Sequence, residues 1–208
     1  MLNIISFLIL ILAITIHEFS HGFVADKLGD PTPRSFGRLT LNPLAHADLV
    51  GTILLPLFSA LTGIPTIGWA KPVPIDPFNF QHPKRDIILT SLAGPVSNFT
   101  IAIFVSILCN IFHTYNVYAY VFVLINLSLA IFNLIPIPPL DGSKIFLNLL
   151  SNESSQKWEE AFDKYGFIIL IIVVFLPLGP SGKPILTSII SPIVNLIFSL
   201  LLPSFSGL

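Results

Sequence analysis

Three side chains near the start of the chain have the types and spacing for hydrolytic chemistry. Residues 16–22 read Ile-His-Glu-Phe-Ser-His-Gly. His17 and His21 are four apart, so on a helix they project from one face, about one turn apart. Glu18 stands beside them. In this arrangement two imidazoles hold a zinc ion and the glutamate acts as general base toward its water. In a chain of this composition the spacing arises by chance about two times in a thousand, so it needs a cause. Helix-end histidines bonded to backbone or water would be the mundane one. Against that, two His and a Glu at membrane depth are costly without a purpose.

Catalytic zinc takes three protein ligands and keeps one position open for water. The two histidines leave one ligand to find. Cys109 is the single cysteine, which excludes an intrachain disulfide and a Cys-rich metal site. Asp141 sits at the end of an apolar span, behind a proline run that fixes its direction. Its other use would be to cap the following helix. His46 lies in the polar loop Asn42–Asp48 and is a second candidate, with a loop hydrogen bond as its other use. His82 and His113 read as interfacial, and Asp86 as a helix N-cap or first-turn charge. The mechanism that follows has zinc lowering the pKa of its water to about 7. Glu18 takes the proton and returns it to the leaving amine. Asn98, inside an apolar helix, is the candidate amide donor to the developing oxyanion; helix–helix hydrogen bonding is its alternative role.

The elements that must position these residues are apolar. The chain has 208 residues, 53% of them hydrophobic and 10% charged, where soluble domains carry about 25% charged. Mean hydropathy is +0.86. Net charge is −1, and nothing suggests nucleic-acid binding. The expected fold is an all-α polytopic membrane protein with about five to six transmembrane helices. A single domain spans 1–208, with a catalytic core over about 1–150 and C-terminal helices over about 151–208. The first span covers about 3–23, and Gly22 ends the motif. Residues 35–41 alternate well enough for a short strand, a small β element after the first helix. Residues 49–64 are apolar but short of the ~20 residues needed to cross the hydrocarbon, which suits a re-entrant or short membrane segment. Three prolines within 72–77 rule out regular helix there. Residues 87–112 and 117–134 are further spans. Residues 151–166 read as a polar surface helix with acid-before-base pairs at i,i+4, and 167–178 and 185–202 as the last apolar runs.

No Lys or Arg precedes Lys27 and no small-residue cleavage site follows the first apolar run, so that helix is expected to be retained rather than removed as a signal. Lys27, Arg34, Arg38, Lys71, Lys84, Arg85, Lys144, Lys157 and Lys164 fall in three segments, while the turn at 113–118 has no Lys or Arg. The positive-inside rule places those segments in the cytoplasm. His17, His21 and Asp141 then all lie toward the cytoplasmic side of a cell (inner) membrane. That agreement requires 49–64 to enter and leave on one side.

Several motifs in this order resemble the site-2 proteases, which are intramembrane zinc metalloproteases. His17-Glu18-Phe-Ser-His21 resembles the family's zinc helix. Asn133 to Gly142, ending Leu-Asp-Gly, resembles its third-ligand motif, which implies Asp141 as ligand to one zinc per chain. Ala93-Gly-Pro-Val-Ser-Asn98 resembles the motif whose Asn sits near the zinc. Gly37-Arg-Leu-Thr-Leu-Asn-Pro and Gly68-Trp-Ala-Lys-Pro-Val-Pro are similar to the compact prokaryotic branch. The expected departures from the family's pattern are the lack of a helix before the zinc helix and of PDZ or CBS modules. The resemblance implies cleavage of transmembrane protein substrates within the lipid bilayer, in a chain that could form a homo-oligomer. Such a substrate must unwind near the cut, and residues 35–41 or 69–75 could bind it by strand addition. The rival class is a transporter or channel with an intramembrane metal site, against which no repeated halves are visible. A catalytically inactive membrane scaffold is a third reading, opposed by the intact His17, Glu18, His21 and Asp141.

Overall fold

The computed structural model describes residues 2–54, 69–178 and 182–202. Among them are α1 (Leu2–Lys27), α2 (Thr32–Ser35), α3 (Pro43–His46), α4 (Pro83–Phe112), α5 (Val117–Asn133), α6 (Asp141–Leu149), α7 (Asn152–Phe175) and α8 (Ile185–Leu201). A π-helical turn covers Leu49–Leu54 and a 3-10 turn Pro77–Asn79. The strands β1 (Pro177–Leu178) and β2 (Lys183–Pro184) form a two-residue antiparallel hairpin.

Helix α4 is the hub, packed against α1, α5, α6 and α8. It runs 30 residues straight through Pro95. A proline inside a spanning helix is tolerated where neighbouring helices and side chains satisfy the freed backbone groups. Helix α1 likewise runs on to Lys27, past the expected end near residue 23. A Cβ at Gly22 would stand 3.3 Å from both Pro33 and Val73, and the glycine serves close approach.

Small and polar residues are prominent inside, and many large apolar ones lie outside. Ala13, Ala102, Ala130, Ser91, Ser106, Asn98 and Asn126 are buried, whereas Ile4, Phe104, Ile111, Phe112, Phe167 and Leu200 are exposed. That is the arrangement of helices in lipid, where close backbone approach and interhelical hydrogen bonds replace the hydrophobic drive. The largest apolar cluster joins α4, α5 and α8 through Ala102, Val123, Leu127, Val194 and Phe198.

Among the described residues, two helices are long and apolar enough to cross a membrane, 4–27 and 83–112, each with hydropathy 1.9. Val117–Asn133 and Ile185–Leu201 are apolar but 17 residues long. By this measure the larger number of spans is not reached among the described residues.

Two expectations need correction. No strand forms over 35–41: α2 occupies Thr32–Ser35, and the amides of Phe36, Gly37 and Arg38 turn back onto the carbonyls of Thr32, Arg34 and Pro33. Gly37, at φ +65°, permits the turn that the alternating pattern concealed. The polar stretch 151–166 and the apolar run after it are one helix, α7, because nothing between them breaks it; Gly166 packs on the Pro138 ring instead. Of the segment 49–64, residues 55–64 lie outside the described residues, and so does the question of re-entry.

Asp30 ties the loop after α1 to the segment before α4. Its fully buried carboxylate accepts from the Thr32 amide (3.0 Å), the Asp76 amide (2.8 Å) and Asn79 Nδ2 (2.8 Å). Burial opposes the charge, but these donors hold the Asp30 carboxyl below the usual carboxylate range. A carboxyl depressed on folding adds stability that is complete above its unfolded pKa of about 4 and is lost as pH falls through the lower folded value. Asp30→Ala should cost about 2–3 kcal/mol by stranding buried amides. Asp30→Asn should flatten the acid limb of stability. Unfolding followed from pH 7 to 2 in micelles would show neither change if the cluster were incidental.

Candidate metal centre

Helix α1 carries His17 and His21 on one face, and α4 closes that face. The rings stand edge to face with centroids 4.6 Å apart. Asp141, at the first turn of α6, reaches them from across the bundle, its Oδ2 lying 3.1 Å from Nε2 of both histidines. The helix N-terminus favours a carboxylate at that position. All three side chains are buried, and their ligand atoms lie within 4.8 Å of one another.

Asp141 arrives there through close packing. Gly142 sits so tightly on the Leu134 and Ile135 carbonyls that no Cβ fits. The linker 134–140, with its cis Pro138–Pro139 bond, turns the chain back onto the bundle. Asp141 is the first residue of α6 rather than its N-cap, which is Leu140.

The outer nitrogens of both rings are committed. His21 Nδ1 lies 2.7 Å from the Thr90 carbonyl oxygen, which only accepts, so Nδ1 carries the hydrogen. His17 Nδ1 lies 2.7 Å from Asn98 Oδ1. The Asn98 amide donates to the Ala13 carbonyl (3.1 Å) and to Asn126 Oδ1 (2.9 Å), so its oxygen faces His17. With Nδ1 bonded outward in each ring, Nε2 is the nitrogen that faces the carboxylate and is placed to offer a lone pair to an ion. Three Lewis bases converging in a buried space suit a cation. Gly94 leaves the room: a Cβ there would lie 2.5 Å from His21 Nε2 and 2.6 Å from His17 Nε2. Two imidazoles and one carboxylate are the donor set of a catalytic divalent site, and the residues present fit such an ion.

The remaining candidates fall elsewhere. Asn98 offers no free N–H to an oxyanion, since both its hydrogens are donated; its place is behind His17, and the expected donor role is corrected accordingly. His46 is buried away from the cluster, with Nε2 2.9 Å from the Thr40 carbonyl. Asp86 is a first-turn charge accepting from the His82 amide (3.0 Å). Asn133 donates back into its own helix at Leu129. Glu18 is half-buried, and its Oε2 accepts from the Val73 amide at 2.9 Å. Val73 and Asn126 were missed from sequence. Each carried a signal: Val73 stands between two prolines, and Asn126 is a lone amide in an apolar run.

Gly94→Ala isolates the space between the rings. Alanine is the better helix former by about 1 kcal/mol, so the helix itself should not suffer. The expected outcome is a folded protein with metal content, by elemental analysis, reduced to near zero. Full metal occupancy in the alanine variant would show that the ligands do not close on this space.

Comparison with known proteins follows the same lines. Residues 110–176, which include Asp141, match the model of Peptidase family M50. YwhC of Bacillus subtilis (strain 168), named as a zinc metalloprotease, is 37% identical over 182 residues, covering 82% of this chain and 80% of its own. Rip2 of Mycolicibacterium smegmatis, also so named, is 30% identical over 173 residues, 80% of this chain and 65% of that protein. Rip2 of Mycobacterium tuberculosis (strain H37Rv) is 30% identical, over 80% of this chain and 64% of that protein. The chain thus spans just under two thirds of the Rip2 proteins. No solved structure matches it. On the strength of these relatives, the chain belongs to peptidase family M50, the site-2 protease family.

Proposed function

We propose that this chain is an intramembrane zinc metalloprotease that hydrolyses peptide bonds within transmembrane segments of membrane protein substrates. The observation that carries the reading is the convergence of His17, His21 and Asp141 beside Glu18, inside a bundle whose outer face is apolar. The names of the relatives support zinc as the ion. His17 and His21 through Nε2, and Asp141 through its carboxylate, would hold it. A zinc ion bound there supplies Lewis-acid chemistry, polarising a carbonyl and acidifying water.

The chain's own residues do the rest. Glu18 accepts the proton of the attacking water as the new carbon–oxygen bond forms. It then delivers that proton to the departing nitrogen as the carbon–nitrogen bond breaks, leaving a carboxyl and an amine. Val73 fixes one oxygen of Glu18 through its amide, which leaves the other for proton transfer. Asn98 and the Thr90 carbonyl orient the two imidazoles.

A substrate helix must unwind before it reaches this centre, because its amides are internally bonded. In the segment 35–41 the amides of Ser35 to Arg38 are already turned back onto the preceding turn. Residues 71–74 are a different case. Lys71 donates its amide to the His46 carbonyl (2.9 Å) and Val73 donates to Glu18, while Pro72 and Pro74 have no N–H. Any substrate strand docking here must therefore bring the donors, and an unwound helix has them. The positive-inside pattern supports a multi-pass protein of the cell membrane, of about five to six spans, with its site toward the cytoplasm.

Glu18→Gln tests the reading. The variant should keep its zinc and lose cleavage by at least about a hundredfold. Comparing membrane-protein termini between wild-type and Glu18→Gln cells identifies the substrate, which is then assayed in proteoliposomes. Undiminished cleavage by folded Glu18→Gln protein would remove Glu18 as the base and with it this mechanism. The tether is tested separately: Val73→Pro deletes the N–H in a position already bounded by prolines, and Val73→Ala keeps it. kcat should fall about tenfold more in the proline variant, with equal zinc in both; equal kcat would dismiss the tether.

A further inference from the structure

We propose that Asn126 is a positioning residue for the metal centre: it fixes the orientation of Asn98 and so determines which nitrogen of His17 faces the ligand space. The proposal rests on the reading of His17, His21 and Asp141 as metal ligands, and extends it to a residue that touches none of them.

Asn126 lies in the middle of the apolar helix α5, and its side chain is fully buried, as is that of Asn98. A buried amide is costly unless its donors and acceptor are used. The direction of each hydrogen bond is set by groups that can act in one sense only. The Phe122 carbonyl accepts from Asn126 Nδ2 at 2.9 Å, so Asn126 Oδ1 faces away from it. That oxygen accepts from Asn98 Nδ2 at 2.9 Å, and the Ala13 carbonyl accepts the other Asn98 hydrogen at 3.1 Å. The Asn98 oxygen is then the atom facing His17 Nδ1 at 2.7 Å, and Nδ1 must carry the hydrogen. Nε2 is then the nitrogen that faces Asp141 and the ligand space.

The alternative orientation is well defined. A flipped Asn98 would set its oxygen against the Ala13 carbonyl and against Asn126 Oδ1, with its NH2 against His17 Nδ1. His17 would then carry its hydrogen on Nε2, which cannot ligate a metal. Two acceptors oppose that flip, and Asn126 supplies the shorter contact. A relay running from a backbone carbonyl of α5 through α4 to α1 thus selects the metal-binding tautomer. Ordinary helix–helix adhesion would need no such direction.

The test measures metal binding, not turnover. Purified protein in detergent is titrated with Zn²⁺ against a chelator, and the Co²⁺-substituted protein is read by its visible d–d absorption. Asn126→Leu should weaken Zn²⁺ binding about tenfold and alter the cobalt spectrum. Asn126→Asp should restore both, because a buried neutral acid can accept from Asn98 and donate to Phe122 O. The loss should vanish when Asn126→Leu is made in an Asn98→Leu background, since the effect passes through Asn98. Unchanged affinity and spectrum in Asn126→Leu, even with a lowered melting temperature, would reduce Asn126 to helix adhesion, and so would a loss that adds to that of Asn98→Leu. If Asn126→Leu does not fold, Asn126→Ala takes its place with the same outcomes. Wild-type protein that binds neither Zn²⁺ nor Co²⁺ would instead overturn the metal-site reading itself.

Discussion

Polar groups in the middle of this bundle must find their partners within the protein, because an apolar surrounding offers none. That constraint shapes the centre more than the ligands do. Each histidine needs an acceptor behind it, and the acceptors are the Thr90 carbonyl and the Asn98 side chain. Asn98 in turn needs acceptors for its amide, which draws in Ala13 and Asn126. Satisfying one buried polar atom commits the next, until the relay ends on backbone carbonyls of α1 and α5. The result is a set of lone pairs aimed at one place before any ion arrives. Preorganisation of this kind is what an outer shell contributes to a metal site.

The packing follows from the same requirement. Helices α1 and α4 can share these bonds only if their backbones come close, and Gly94 lets them do so. Gly22 and Gly142 act likewise, one against Pro33 and Val73, the other against the linker that delivers Asp141. The bulky residues are displaced outward, where lipid receives them. Beside the centre, the segment 71–76 spends its amides on the body of the protein: Lys71 on His46, Val73 on Glu18 and Asp76 on Asp30. Pro72 and Pro74, which lie between them, have no N–H to donate.

Much of this was legible residue by residue. The His-Glu-x-x-His spacing, a carboxylate behind a proline run and an amide inside an apolar helix singled out His17, Glu18, His21, Asp141 and Asn98. The structure brings His17, His21 and Asp141 together and sets Asn98 behind His17. Hydropathy marked the apolar helices. Boundaries were less legible: α1 runs four residues beyond the expected end near 23, and α7 joins a polar and an apolar stretch. The alternation over 35–41 suggested a strand, but a period of two over so few residues cannot tell a strand from a turn whose leading amides, Ser35 to Arg38, fold back.

What the sequence by itself determined was the chemistry available: residue type and local spacing are properties of the chain, and a helix converts a separation of four into a shared face. What only tertiary structure decided was which atoms of those residues meet and in what orientation. His17 reaches Asn98 and Asp141 across separations of 81 and 124 residues, and the Thr90, Ala13 and Phe122 carbonyls carry no residue signature at all. The role of Asn98, as orienter and not as oxyanion donor, depends on which way its amide points. That direction is set by acceptors on two other helices, and helix packing alone brings them within reach.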